Sequence, residues 1–231
     1  MAETCIFENE KVLQGAFNFW HDLTDEQQGL LCANTAKREY KKKSNIIGET
    51  VNELESHGAI YVKKGVLRTY LLSEDGREVT LYRIYPGDVC VLSRGCLRDR
   101  ISFDIWVDAE TDAEIFGIKA GALSSVVEKN IYAENFMLKV AASRLSDVIW
   151  TLEQILFMSF DKRLATFLID EMARTGDNTI KLTHEQIAKY MSSAREVVSR
   201  MLKYFSEEGI VSLSRGGVTV IDKDRLRKLT Y

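Results

Sequence analysis

The spacing of apolar positions changes twice along the chain. From about residue 38 to 118, apolar and β-branched residues come in short runs, with turn signals every 8–12 residues or so, a pattern of many short strands. RTYLLSEDGREVTLYRIYPGD alternates β-formers on either side of Asp75-Gly76 and closes on the only proline, Pro86, with Gly87. That predicts a hairpin followed by a turn. GAIYVKKGVL and ISFDIWVDAETDAEIFGI predict further strands, and strands so spaced suggest a barrel or sandwich. Ahead of them, LTDEQQGLLCANTA places Gln27 three positions after Thr24, a capping-box pattern that predicts a short helix.

Between Ile131 and Met158 the period lengthens. Leu138, Ala142, Leu145, Ile149, Leu152 and Leu156 recur with 4-3 spacing, uninterrupted by Gly or Pro. This is a coiled-coil seam of about two and a half heptads, on a helix about 40 Å long. A second stripe, Met137, Val140, Val148 and Ile155, runs beside it. One stripe can pack on the strand-rich part while the other meets a partner helix; the alternative is a helix buried within its own domain. Arg144, Asp147 and Glu153 lie between the stripes and are expected in solvent. Past Phe160 come three short helical patterns, then SLSRGGVTVI, two β-rich tracts around Gly216-Gly217 that predict a hairpin or wing.

THEQIAKYMSSAREVVSRMLKYF (Thr183 to Phe205) fits two short helices set at an angle by Met-Ser-Ser. Ala188 is small where the helices meet, and Ile187, Met191, Val198 and Met201 supply apolar contact. Ser192 and Ser193 make the turn and are expected to cap the second helix. Arg195, Glu196, Ser199 and Arg200 project away from the apolar positions. An arginine can bond guanine in a bidentate fashion, a carboxylate can accept from cytosine, and a serine can bond a base or phosphate. Their place near the start of the second helix matches the way a recognition helix enters the major groove. The same residues also fit an ordinary solvated face with an i,i+4 pair between Glu196 and Arg200.

Charge adds a local detail. The 231 residues carry 31 Lys+Arg against 34 Asp+Glu, a net −3, but from Phe160 onward 13 basic residues outnumber 10 acidic ones. A mildly basic C-terminal part fits local contact with a polyanion. Apolar residues are 45% and charged residues 28% of the chain. No apolar run approaches the ~18 residues of a membrane span, and MAETCIFENEKVLQG lacks the layout of a secretory signal. A cytoplasmic protein without membrane contact is expected. Its four cysteines, Cys5, Cys32, Cys90 and Cys96, should then be mostly reduced. No cysteine or histidine spacing suggests a structural metal, and no nucleophile set, phosphate loop or carboxylate pair suggests an enzyme.

HEQIAKYMSSAREVVSRMLKYFSEEGIV resembles the winged helix-turn-helix of the Crp/Fnr transcription regulators, GVLRTYLLSEDGREVTLYRIYPGD resembles their β-roll, and the 131–158 helix resembles their dimerisation helix. The resemblance covers nearly the whole chain in the family's order. It implies an α+β architecture: a cyclic-nucleotide-binding-type β-roll (jelly roll) over 1–130, a dimerisation helix over 131–158 and a winged helix-turn-helix over 159–231. It further implies a homodimer on double-stranded DNA, acting with RNA polymerase. Arg195, Glu196 and Arg200 match base-reading positions of the family, with Ser199 beside them; Glu196, Ser199 and Arg200 together are closer to the Fnr-like branch, which implies a palindrome of TTGA-type half-sites. Thr183, His184, Ser193, Lys203 and Arg215 are the expected phosphate contacts. Ala194 stands where a serine is usual, and Ser192 where a turn glycine is common; the latter exchange is expected to cost little.

The family's cyclic-nucleotide binders carry a Gly-Glu and an Arg-Ser-Ala that hold ribose and cyclic phosphate. Those positions fall here on Val91-Leu92 and on Phe103-Asp104, and Asp104 would repel a phosphate. Cyclic AMP is therefore not the expected effector, although Arg98, Arg100 and Ser102 could face another anion. An iron–sulfur cluster lacks its N-terminal cysteines. His21 and His57 are the candidates for haem iron. Cys90 and Cys96, six residues apart, could form a switchable disulfide, though a free cysteine is commonly a small buried hydrophobe. A second class of function is a regulatory protein whose β-roll binds a nucleotide or other small anion.

Overall fold

The computed structural model describes residues 2–47, 57–74, 76–91 and 105–230, with the side chains of 2–6 and of His57 outside that description. Asp75, Leu92, Cys96, Arg98, Arg100, Ser102, Phe103 and Asp104 lie outside the described residues, and the side chain of Cys5 does too. The chain divides into two compact units. One comprises residues 1–72 and 81–148, the other 73–80 and 149–231.

Helix α1 (Ala2–Ala16) opens the first unit, followed after a short 3-10 turn by α2 (Asp25–Ala33). The Thr24 hydroxyl accepts from the Gln27 amide and the Gln27 side chain accepts from the Thr24 amide, so the expected capping box is formed. Among the described residues eight strands follow: β1 (Thr35–Tyr40), β2 (Asn45–Ile47), β3 (His57–Lys64), β4 (Leu67–Leu72), β5 (Glu78–Ile84), β6 (Val89–Val91), β7 (Ile105–Ala109) and β8 (Ala113–Lys119). They form two four-stranded sheets, ordered β1-β8-β3-β6 and β2-β7-β4-β5. The alternation read from sequence places Ile60, Val62, Leu67, Ile84, Val107 and Ile115 in one buried core. Gly65 makes the β3–β4 turn at φ +87°, and a Cβ there would stand 2.4 Å from the Asp112 carbonyl. Only glycine fits a backbone so close to its neighbour.

Helix α3 (Ala120–Val127) leads into α4 (Ile131–Phe157). Neither α1 nor α3 was legible in the apolar pattern. Leu13, Phe17, Phe19, Trp20, Leu31, Leu123 and Val126 bury together against Ala59 and Ile118, so these helices form by covering the sheet face. Ala133, Phe136 and Met137 bring the start of α4 into the same cluster. Further along, Leu138, Leu145, Ile149, Leu152 and Leu156 stay exposed, with Leu145 at 61% of its maximum. Arg144 departs from expectation. It is half-buried, its guanidinium 3.3 Å from Asp88 and 3.1 Å from Asp147 and over the Tyr82 ring at 5.2 Å. The aromatic face and two carboxylates replace part of the water it would otherwise require, although its buried Nε has no hydrogen-bond partner among the described residues.

The second unit contains α5 (Phe160–Thr175), β9 (Thr179–Ile180), α6 (His184–Tyr190), α7 (Arg195–Glu207), β10 (Val211–Ser214), β11 (Gly217–Val220) and α8 (Lys223–Lys228). Gly176 ends α5 at φ +69°, in the left-handed conformation common just past a helix. Strands β10 and β11 pair antiparallel, with Ser214 opposite Gly217, and β9 adds to β11. That hairpin is the expected wing. Leu164, Leu168, Ile187, Val198, Leu202, Phe205, Val211, Val218 and Leu226 share one core.

Candidate nucleic-acid interface

Helix α6 begins with a full capping box: the Thr183 hydroxyl accepts from the Gln186 amide, and the Gln186 side chain accepts from the Thr183 amide. Ile187 and Ala188 are buried against α7, whose Val198, Leu202 and Phe205 are buried in turn. These residues recur at helical spacing, so one face of α7 is fixed in the core and the other is left to solvent. The two helices are held apart by a tight turn. The Ser193 amide donates to the Ala188 carbonyl at 2.9 Å, and Ser192 sits at φ +51°.

Two expectations about that turn are corrected. Ser192 occupies the left-handed region, which costs a residue with a Cβ roughly 1–2 kcal/mol, so replacing glycine there is not free. Neither serine caps α7: its N-cap is Ala194, which makes no side-chain cap bond. No N-cap side chain therefore takes a first-turn amide of α7, and the Val197 and Val198 amides donate to the Ala194 carbonyl at 3.1 and 3.2 Å. Sequence reasoning also missed Arg163. Its guanidinium, on α5, donates to the Met191 carbonyl where the turn starts, and burial pulls its pKa below the usual arginine range. No local signal could have disclosed a partner 28 residues away.

On the outer face of α7, Arg195, Glu196 and Arg200 are exposed. Among the described residues none of the three side chains has a hydrogen bond or ion pair, so the i,i+4 pair between Glu196 and Arg200 is not formed. Lys203 is exposed and lies 3.7 Å from Glu207. Arg215 is exposed at the tip of the wing. Tyr204, 52% exposed, stands on this same side of α7 and was not foreseen. Ser199 is half-buried, its hydroxyl 2.9 Å from His184 Nδ1. Burial, and then the charge of Arg195, hold the His184 pKa below the ordinary histidine value.

The sensor candidates divide between described and undescribed residues. Cys90 is fully buried, and its Sγ lies 3.8 Å from the Tyr82 hydroxyl. Burial pushes the thiol pKa up to about 11, so it is protonated and a poor nucleophile near neutral pH. Burial of Cys90 works against the switchable disulfide from its side, and the other cysteine, Cys96, lies outside the described residues. The buried Tyr82 hydroxyl is likewise shifted upward, mainly by burial. His21 is exposed. Among the described residues no group of three or more His, Cys, Asp and Glu side chains gathers as a metal site, and no helix is long and apolar enough to cross a membrane.

Residues 162–229 match the family model of the Crp-like helix-turn-helix domain. The chain is 40% identical to a Crp/Fnr-family transcriptional regulator from Eubacterium rectale ATCC 33656, with a TM-score of 0.84, over 93% of this chain and 98% of the other. FixK2 from Bradyrhizobium japonicum is 22% identical at a TM-score of 0.69 and covers 85% of this chain and 98% of its own, a likeness of fold. The cAMP-activated global transcriptional regulator CRP of Salmonella typhimurium is 24% identical over 181 residues, 75% of this chain and 83% of that protein.

Proposed function

The chain belongs to the Crp/Fnr family of DNA-binding transcription regulators, and from that premise we propose that it acts as a homodimer on a palindromic site with TTGA-type half-sites. Residues 1–130 are the sensor, 131–158 the dimerisation helix and 159–231 the DNA-binding domain. Arg195, Glu196, Ser199 and Arg200 read base edges. Thr183, His184, Ser193, Lys203 and Arg215 contact phosphates and fix the register. The observation behind this reading is the outer face of α7, where two arginines and a glutamate stand exposed and unpaired among the described residues. An intramolecular ion pair would have to be broken before a base could be bonded; here none needs to be.

The partner copy packs along Leu138, Ala142, Leu145, Ile149, Leu152 and Leu156, a seam that leaves large apolar side chains in water when α4 is alone. Two recognition helices related by a two-fold axis meet half-sites about 10 base pairs apart, one turn of DNA. A signal at the β-roll alters the packing of the paired helices and swings the DNA-binding domains about Phe157–Phe160. The signal is not cyclic AMP, because by the family resemblance Phe103 and Asp104 fall in the sequence where cyclic-nucleotide binders carry an arginine and a serine. The protein works in the cytoplasm with RNA polymerase and catalyses no reaction.

Fluorescence anisotropy of a labelled duplex carrying TTGA and TCAA half-sites, against a scrambled duplex, tests the reading. Selective binding is expected, and Arg200→Ala should lose ~1–3 kcal/mol of it. An unchanged preference in Arg200→Ala overturns the base-reading assignment. Repeating the titration after mild oxidation should leave binding unaltered.

A further inference from the structure

His184 opens α6, and its ring reaches across to the recognition helix, where Nδ1 meets the Ser199 hydroxyl at 2.9 Å. We propose that His184 is a positioning residue that fixes the hydrogen-bond polarity with which Ser199 meets a base. The inference rests on Ser199 being a base reader.

A serine hydroxyl alone can donate or accept, because its proton rotates to suit the partner. It therefore discriminates poorly between base edges that present donors and those that present acceptors. A neutral imidazole has one N–H and one bare nitrogen. With the proton on Nε2, Nδ1 accepts from the Ser199 O–H and occupies that proton. The oxygen then faces the groove with lone pairs only. It can accept from the N4–H of cytosine or the N6–H of adenine, but it has nothing to donate to the O4 of thymine or the O6 of guanine. Arg195 supports the neutral ring, since a second positive charge beside its guanidinium would be repelled. The Nε2–H remains available for a phosphate, so the ring serves position and specificity together.

The test is a double-mutant cycle on the full-length protein. Affinities of wild type, His184→Ala, Ser199→Ala and the double variant are measured by anisotropy for every single-base substitution of one half-site. Ser199→Ala identifies the base pair that Ser199 reads, as the position where discrimination falls about 3- to 10-fold. His184→Ala should lose discrimination at that same base pair, and the double variant should lose no more than either alone. His184→Asn, whose side-chain oxygen can accept from Ser199, should restore it. Thermal melting of each variant identifies any that fail to fold, and His184→Asn then provides the comparison if His184→Ala is unstable. Uniform weakening across all duplexes in His184→Ala, with the ratio at the Ser199 position intact, overturns the proposal and leaves His184 a phosphate contact. No loss of discrimination anywhere in Ser199→Ala overturns instead the base-reading role on which the proposal rests.

Discussion

The guanidinium of Arg144 and the carboxylate of Asp88 lie 3.3 Å apart, tying the long helix α4 to the turn that begins β6. The same Asp88 oxygen accepts from the Tyr85 amide at 3.0 Å, so one carboxylate holds both the turn and the helix. Arg144→Met keeps the aliphatic stem and removes the ion pairs and the contact with Tyr82. It should lose about 1–2 kcal/mol, the sum of a partly exposed pair and a cation–π contact. Urea unfolding followed by tryptophan fluorescence measures it. A variant as stable as wild type would show that the tie is energetically idle.

Cys90 should be chemically silent in the folded protein. Its thiol is buried and its pKa raised to about 11, against 9.0 for the free group. Alkylation followed by mass spectrometry should label Cys90 only on unfolding. The raised value also sets a pH dependence. The unfolded chain loses this proton first as pH rises, so the contribution to stability is present below pH 9 and declines between 9 and about 11. Cys90→Ala should flatten that part of the stability curve.

Ser192 is held at φ +51° between α6 and α7. Ser192→Gly removes the Cβ strain but adds backbone freedom in the unfolded chain, so a net gain of about 0.5–1 kcal/mol is expected. Thermal unfolding with DNA binding measured alongside separates the two effects. A more stable variant with unaltered affinity is the expected result, because Ser193 and not Ser192 is assigned to phosphate.

Charge on the seam should separate the protomers. Leu145 and Ile149 are more than half exposed on α4, so a single protomer loses little when either becomes glutamate. In a dimer the two copies would bury like charges against each other, which is costly. Leu145→Glu should sediment as a monomer, keep its circular dichroism spectrum and bind the palindrome far more weakly. A variant that remains dimeric would move the interface off this stripe.

Much of the fold was legible in the sequence because its signals are local. The 4-3 spacing from Leu138 to Leu156, the Thr24–Gln27 box, and the alternation around Gly76 each involve residues within a few positions of one another. Helix period, capping chemistry and strand pleat follow from such neighbours alone. Helices α1 and α3 were less legible, since each forms by laying an apolar face on a sheet assembled from distant strands.

By itself, then, the sequence determined the strand-rich stretch, the long helix and the helix-turn-helix with its wing, their order, and the face of α7 that carries Arg195, Glu196 and Arg200. Only the tertiary structure decided which polar groups meet. Arg144 finds Asp88 across 56 residues, Arg163 finds Met191 across 28, and His184 finds Ser199 across 15. The physical reason is common to all three. A buried or half-buried polar group must find a partner, and the identity of that partner is set by which elements pack together, not by what lies beside it in the chain.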